Sequence, residues 1–65
     1  MKYPVVDGDT NADIYGTAET AEDAMAIAAD VFADPLDHAE LYGPIVLQDG
    51  TVLEKGWVVL TQDRR

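Results

Sequence analysis

Apolar residues fall along the chain in stretches of two different periods, each bounded by turn formers. Lys2-Tyr3-Pro4-Val5-Val6 is short, apolar and β-prone, and Pro4 suits an edge strand or the start of a strand. Asp7-Gly8-Asp9-Thr10-Asn11 is dense in turn residues, and Asp-Gly favours a tight reversal. Ile14 and Tyr15 mark a second strand within residues 12–17, so an N-terminal hairpin is expected.

The pattern turns helical over residues 20–33. Thr20 is a good N-cap, and Asp23 lies three residues on, an acidic variant of the capping box. At about 100° per residue, Ala21, Ala24, Met25, Ala28, Val31 and Phe32 fall on one side. Glu19, Glu22, Asp23 and Asp30 fall on the other. This predicts an amphipathic helix with an apolar face and a purely anionic outer face. Pro35 ends or kinks it, because a residue before proline is pushed out of helical geometry. Asp34-Pro35-Leu36-Asp37 also reads as a fresh start: N-cap, proline at N1, acid at N3. A short second helix through about Leu41 is expected.

Gly43-Pro44 breaks the chain again. Ile45-Val46-Leu47-Gln48 and Thr51-Val52-Leu53 flank Asp49-Gly50, a hairpin signal that predicts a two-residue type I′ turn. Glu54-Lys55-Gly56 is a further turn or bulge, and Trp57-Val58-Val59-Leu60-Thr61 a final, central strand. The order β-β-α-(short α)-β-β-β predicts one α+β domain over residues 1–65. Its small antiparallel sheet of three to five strands carries the main helix on one face, in two layers. Ala24, Ala28, Val31 and Phe32 are expected to meet Val46, Val52, Trp57 or Val58, and Val59.

Charge changes this picture. The net charge is −9, from 4 Lys and Arg against 13 Asp and Glu in 65 residues. Residues 3–54 contain no Lys or Arg and hold all the carboxylates except Asp63. Little internal ion pairing is possible there, so the field projects outward. Such a surface repels nucleic acids and anionic membranes and steers basic proteins toward it. No apolar run approaches the roughly 18 residues of a membrane span, and no signal peptide is read at Met1-Lys2-Tyr3-Pro4, so a cytoplasmic protein is expected.

Candidate chemistry is sparse. Without Cys or Ser, only threonines and tyrosines remain as hydroxyl nucleophiles, and His38 is the one histidine. It is expected on the exposed side of the short helix, with Asp37 and Glu40 beside it. Asp7-Gly8-Asp9-Thr10-Asn11 looks like a calcium loop, but a twelve-residue frame opened at Asp7 or Asp9 ends on Ala18 or Thr20 instead of glutamate. No catalytic residue, metal site or cofactor is assigned. Tyr15, Tyr42 and Trp57 could stack bases, but phosphate binding needs cations that this stretch lacks.

The anionic helix face is the remaining candidate. Asp23 to Asp30 advances about 10.5 Å at 1.5 Å per residue, and if the axis continues past Pro35, Asp34 and Asp37 extend the line. Carboxylates so spaced imitate a row of duplex phosphates, which carry one charge per about 1.7 Å of axis. Glu19, Glu22, Asp23, Asp30, Asp34 and Asp37 are therefore the expected contacts, with Asp7, Asp9 and Asp13 as a secondary patch. The bland readings are a solvated helix face and halophilic adaptation, which also produces Asp-rich, Lys-poor surfaces.

Size, charge and the strand–helix–hairpin layout resemble the small acidic anti-CRISPR proteins of phages, especially DNA mimics that inhibit type I effectors. The resemblance is architectural and spans the chain. It rests on Thr20-Ala21-Glu22-Asp23-Ala24-Met25-Ala26, Gln48-Asp49-Gly50-Thr51 and Trp57-Val58-Val59-Leu60. It implies a non-enzymatic inhibitor that occupies a basic DNA-entry or PAM-reading surface of a Cas subunit, and the chain is expected to be a monomer. The alternative is a generic protein-interaction module or antitoxin-like partner that docks through an apolar patch.

Overall fold

The computed structural model describes residues 2–8, 11, 13–32 and 36–61, with the side chains of residues 36, 37 and 61 left aside. It is an α+β fold with one main helix. The elements are β1 (Tyr3–Asp7), β2 (Ile14–Ala18), α1 (Ala21–Phe32), β3 (Leu36–Tyr42), β4 (Ile45–Val46), β5 (Val52–Leu53) and β6 (Gly56–Thr61). Four strands form the main sheet in the order β2-β1-β6-β3, and β4 and β5 form a separate two-stranded ribbon.

The N-terminal hairpin forms as the turn residues suggest, with Tyr3 opposite Ala18 and a bulge between Val5 and Val6. Pro4 lies at the strand start, before pairing with β6 begins at Val5, so its missing N–H breaks no bond there. The final strand is central, as its unbroken apolar run implies: β6 lies between β1 and β3. It runs parallel to β1, so the sheet is mixed and not the antiparallel sheet expected. The parallel pair arises because α1 carries the chain from the β2 edge across the sheet to β3 at the opposite edge.

The second helix does not form. Residues 36–42 are strand β3, paired antiparallel with β6 from Leu36 opposite Thr61 to Tyr42 opposite Gly56. The local start signal at Asp34-Pro35 is overridden by a long partner strand, because pairing and burial outweigh a weak propensity. Asp34 itself lies outside the described residues.

Two layers are also too few. Along β1 and β6 neighbouring side chains point to opposite faces. Val5 and Val59 pack with Ala18, Ala24 and Ala28 under the helix, flanked by Ile27, Phe32, Ala39 and Trp57. Val6 packs with Ile45 and Leu47 of the ribbon, flanked by Leu53 and Val58. The sheet is thus covered by α1 on one face and by β4–β5 on the other. Of the residues expected to meet across the helix interface, Val46 and Val52 are instead exposed on the outer side of the ribbon, and Val31 is exposed on the helix. Gly43 lets the chain dive beneath the sheet: a Cβ there would collide with the carbonyl oxygen of Glu54.

The ribbon's turn differs from type I′, which needs a positive φ at both central residues. Gly50 is left-handed at φ 97°, whereas Asp49 is not. The Gly50 N–H donates to the Leu47 carbonyl (2.9 Å) and the Leu47 N–H to the Thr51 carbonyl (2.7 Å). This is a three-residue loop, Gln48-Asp49-Gly50, closed by a glycine bulge.

Candidate functional site

Helix α1 presents the acidic face, and its start is built as the sequence implies. The Thr20 hydroxyl accepts the Asp23 N–H at 3.2 Å, and the Thr20 carbonyl accepts the Ala24 N–H at 3.0 Å. The first bond satisfies one of the four orphan donors at the helix N-terminus, and the second is the first i→i−4 bond of the helix itself. Ala24 and Ala28 are fully buried and fix the helix rotation against the sheet. Glu22, Asp23, Ala26 and Asp30 are therefore turned to solvent, on one arc of about 100°. Glu19, just before the cap, is exposed as well.

The secondary patch comes together only in part. Asp7 is half-buried and accepts a long bond, 3.5 Å, from the Tyr15 hydroxyl. Burial first, then the charges of Asp7 and Asp13, pushes the Tyr15 phenol above its ordinary pKa. Asp7 and Asp13 therefore share one end of the β1–β2 hairpin, although they are six residues apart in sequence. Tyr15 meets Phe32 edge to face, ring centroids 5.1 Å apart. That contact ties this end of the hairpin to the last turn of α1, near Asp30. Asp9 lies outside the described residues.

The straight line of acids expected on the helix does not reach Asp37. Asp37 belongs to β3, so no helix axis carries it in register with Asp23 and Asp30. The radius of gyration is 10.6 Å and the longest extents are 27 Å, so a net charge of −9 is spread over a very small body.

A second cluster was foreseen only in part, as His38 beside Glu40 and without Tyr42. His38, Glu40 and Tyr42 alternate along β3 and share the sheet face on which β4–β5 lies. One Glu40 oxygen bonds His38 Nε2 and the other accepts the Tyr42 hydroxyl. The Tyr42 bond, then the His38 bond, holds the Glu40 carboxyl below its ordinary value, and Glu40 raises Tyr42 in turn. The period-two spacing of His38, Glu40 and Tyr42 was the available signal, masked by the helix-start signature before it. All three are exposed. Among the described residues no group of three His, Asp or Glu side chains is placed to hold a metal ion.

Comparison with protein-family models, curated proteins and solved structures finds no match to this chain. Among the described residues no helix is long and apolar enough to cross a membrane.

Proposed function

We propose that this domain is a non-enzymatic inhibitor that presents carboxylates to a basic, DNA-binding protein surface and blocks DNA binding by competition. The partner class is the DNA-recognition subunit of a CRISPR-Cas effector, acting in the bacterial cytoplasm. The observation that carries the reading is the exposed arc of Glu22, Asp23 and Asp30 on a capped helix, within fifty-two consecutive residues lacking Lys and Arg. Each exposed ion pair is worth about 0–1 kcal/mol, so affinity must come from several contacts and from the summed field. One copy of the domain suffices to present the face.

The test is capture of partners from a bacterial lysate, elution by salt, and a DNA-binding assay on what elutes. The reading expects a captured protein whose duplex binding the wild type blocks and the Asp23→Lys/Asp30→Lys variant does not. A captured protein that binds DNA and the domain together refutes it.

A second reading is supported by Val46 and Val52, which face each other across the ribbon and are 56% and 60% exposed. An interaction module docking through that patch would bind with little salt dependence.

A further inference from the structure

Strand β3 closes one edge of the main sheet, and β6 is its one strand neighbour among the described residues. Which of its peptide groups face outward follows from one bond. The Val59 carbonyl accepts the Gly8 N–H at 2.8 Å, so Val59 turns its peptide groups toward β1. Peptide groups alternate sides along a strand, so Val58 and Leu60 turn theirs toward β3. Their partners Glu40 and His38 answer them. The N–H and C=O groups of Ala39 and Leu41 therefore point away from the sheet.

This edge carries few of the devices that block strand addition. Residues 36–42 contain no Lys and no Pro, and the one irregularity, between Leu36 and His38, leaves 38–42 regular. The edge is also self-complementary. Ala39 is the midpoint of the seven-residue strand, with His38 and Glu40 immediately on either side. An antiparallel copy centred on Ala39 pairs the outward groups of the two Ala39 residues. It sets His38 of each chain opposite Glu40 of the other, in the closer, non-hydrogen-bonded type of pair. Moving the centre one residue on, to Glu40, would oppose the two Glu40 side chains, a like-charge pair that costs stability. Charge therefore favours the centre at Ala39 over the one at Glu40.

We propose that β3 is a self-association edge, along which two copies of this chain pair antiparallel about a two-fold axis at Ala39. The smallest β3 side chain then lies on the axis under the two helices. The two anionic helix faces end up on the same side of one continuous sheet. Net charge opposes the association, so it is expected to be modest and to need physiological salt, where the screening length is about 8 Å.

The experiment is sedimentation equilibrium of the full chain, with far-UV circular dichroism to confirm folding. The wild type is expected to reach twice its 7.1 kDa monomer mass. His38→Glu and Glu40→Lys each remove both cross-axis pairs and are expected to weaken dimerisation about tenfold. The double variant His38→Glu/Glu40→Lys sets opposite charges across the axis and is expected to restore the dimer. The side chains of His38 and Glu40 are about half exposed, so these variants keep the fold. A wild type that stays monomeric up to roughly 1 mM, the weak end of measurable association, overturns the proposal. So does a dimer indifferent to all three variants, or one broken by Val46→Lys, which would place the contact on the ribbon.

Discussion

Val5 and Val6 are adjacent in β1, both are 0% exposed, and they belong to opposite faces of the sheet. One peptide unit thus separates the core beneath the helix from the core beneath the ribbon. A 65-residue chain buries only about 60% of its unfolded surface. Using both faces of one sheet extracts two small cores from a single set of strands. It also explains why β1 and β6 hold uninterrupted apolar pairs, Val5-Val6 and Val58-Val59, where a one-sided sheet would alternate.

Val5→Ala and Val6→Ala are each expected to lower the unfolding free energy by about 2 kcal/mol, from lost burial plus an unfilled void. Their local effects should differ. Native-state hydrogen exchange is expected to show Val6→Ala releasing the Leu47 and Gln48 amides, which bond Thr51 and Asn11. Val5→Ala should release the Ala24 amide of the helix cap more. Identical exchange patterns in the two variants would mean that the two cores open as one.

Much of this was legible from local chemistry. Thr20 and the alanine face specified α1, because capping and rotation depend on neighbours three and four residues away. Asp49-Gly50 specified the ribbon, though not its turn, because only one of the two residues takes positive φ. β3 was illegible for the opposite reason: its strand state is imposed by β6, about twenty residues later, against a local helix-start signature. The ribbon's place beneath the sheet was likewise hidden, although the apolar pairs in β1 and β6 signalled a strand buried on both faces. Of the acidic site, the exposed arc on α1 was read from periodicity. The meeting of Asp7 and Asp13 at Tyr15 depends on hairpin register, which the run of turn-forming residue types after Asp7 does not specify.

The Thr20 cap gives a second prediction. Thr20→Ala removes the hydroxyl acceptor for the Asp23 N–H and is expected to cost about 1 kcal/mol, whereas Thr20→Asp should be nearly neutral. Urea denaturation measures both. Equal losses in the two variants would show that the hydroxyl bond is not what stabilises the helix start.

Acid stability should report on the ribbon turn. The Asp49 carboxylate accepts the Thr51 N–H at 2.9 Å, and that bond lowers its pKa from the ordinary 3.8. A lowered carboxyl binds fewer protons folded than unfolded. Its stabilisation is therefore present above 3.8 and lost as pH falls through the folded value. Asp49→Asn keeps an acceptor for Thr51 and removes the titration, so stability should fall less steeply with acid below about pH 4. Glu40, lowered by Tyr42 and His38, contributes with the same sign, and Glu40→Gln/Asp49→Asn should flatten the acid limb further. Thermal melts across this range measure the slopes, and a single variant as steep as wild type would mean the Asp49 bond is absent in solution.

The acidic arc and the apolar ribbon make opposite predictions about salt. Binding carried by Glu22, Asp23 and Asp30 depends on exposed charges, which mobile ions screen within about 10 Å at 0.1 M. Affinity for the captured DNA-binding partner is therefore expected to drop about tenfold or more between roughly 50 and 200 mM salt, the direction seen when phosphates are the ligand. Asp23→Lys/Asp30→Lys should abolish binding while leaving the helix intact, since both side chains are exposed. Val46→Lys/Val52→Lys should leave it unchanged or slightly weaker, because two added cations reduce the summed anionic field. If the ribbon variant abolishes binding and salt leaves the wild type unaffected, the contact is apolar and the carboxylates serve solubility alone. Titration calorimetry at several salt concentrations separates the two, because apolar burial carries a negative heat-capacity change that a screened charge contact largely lacks.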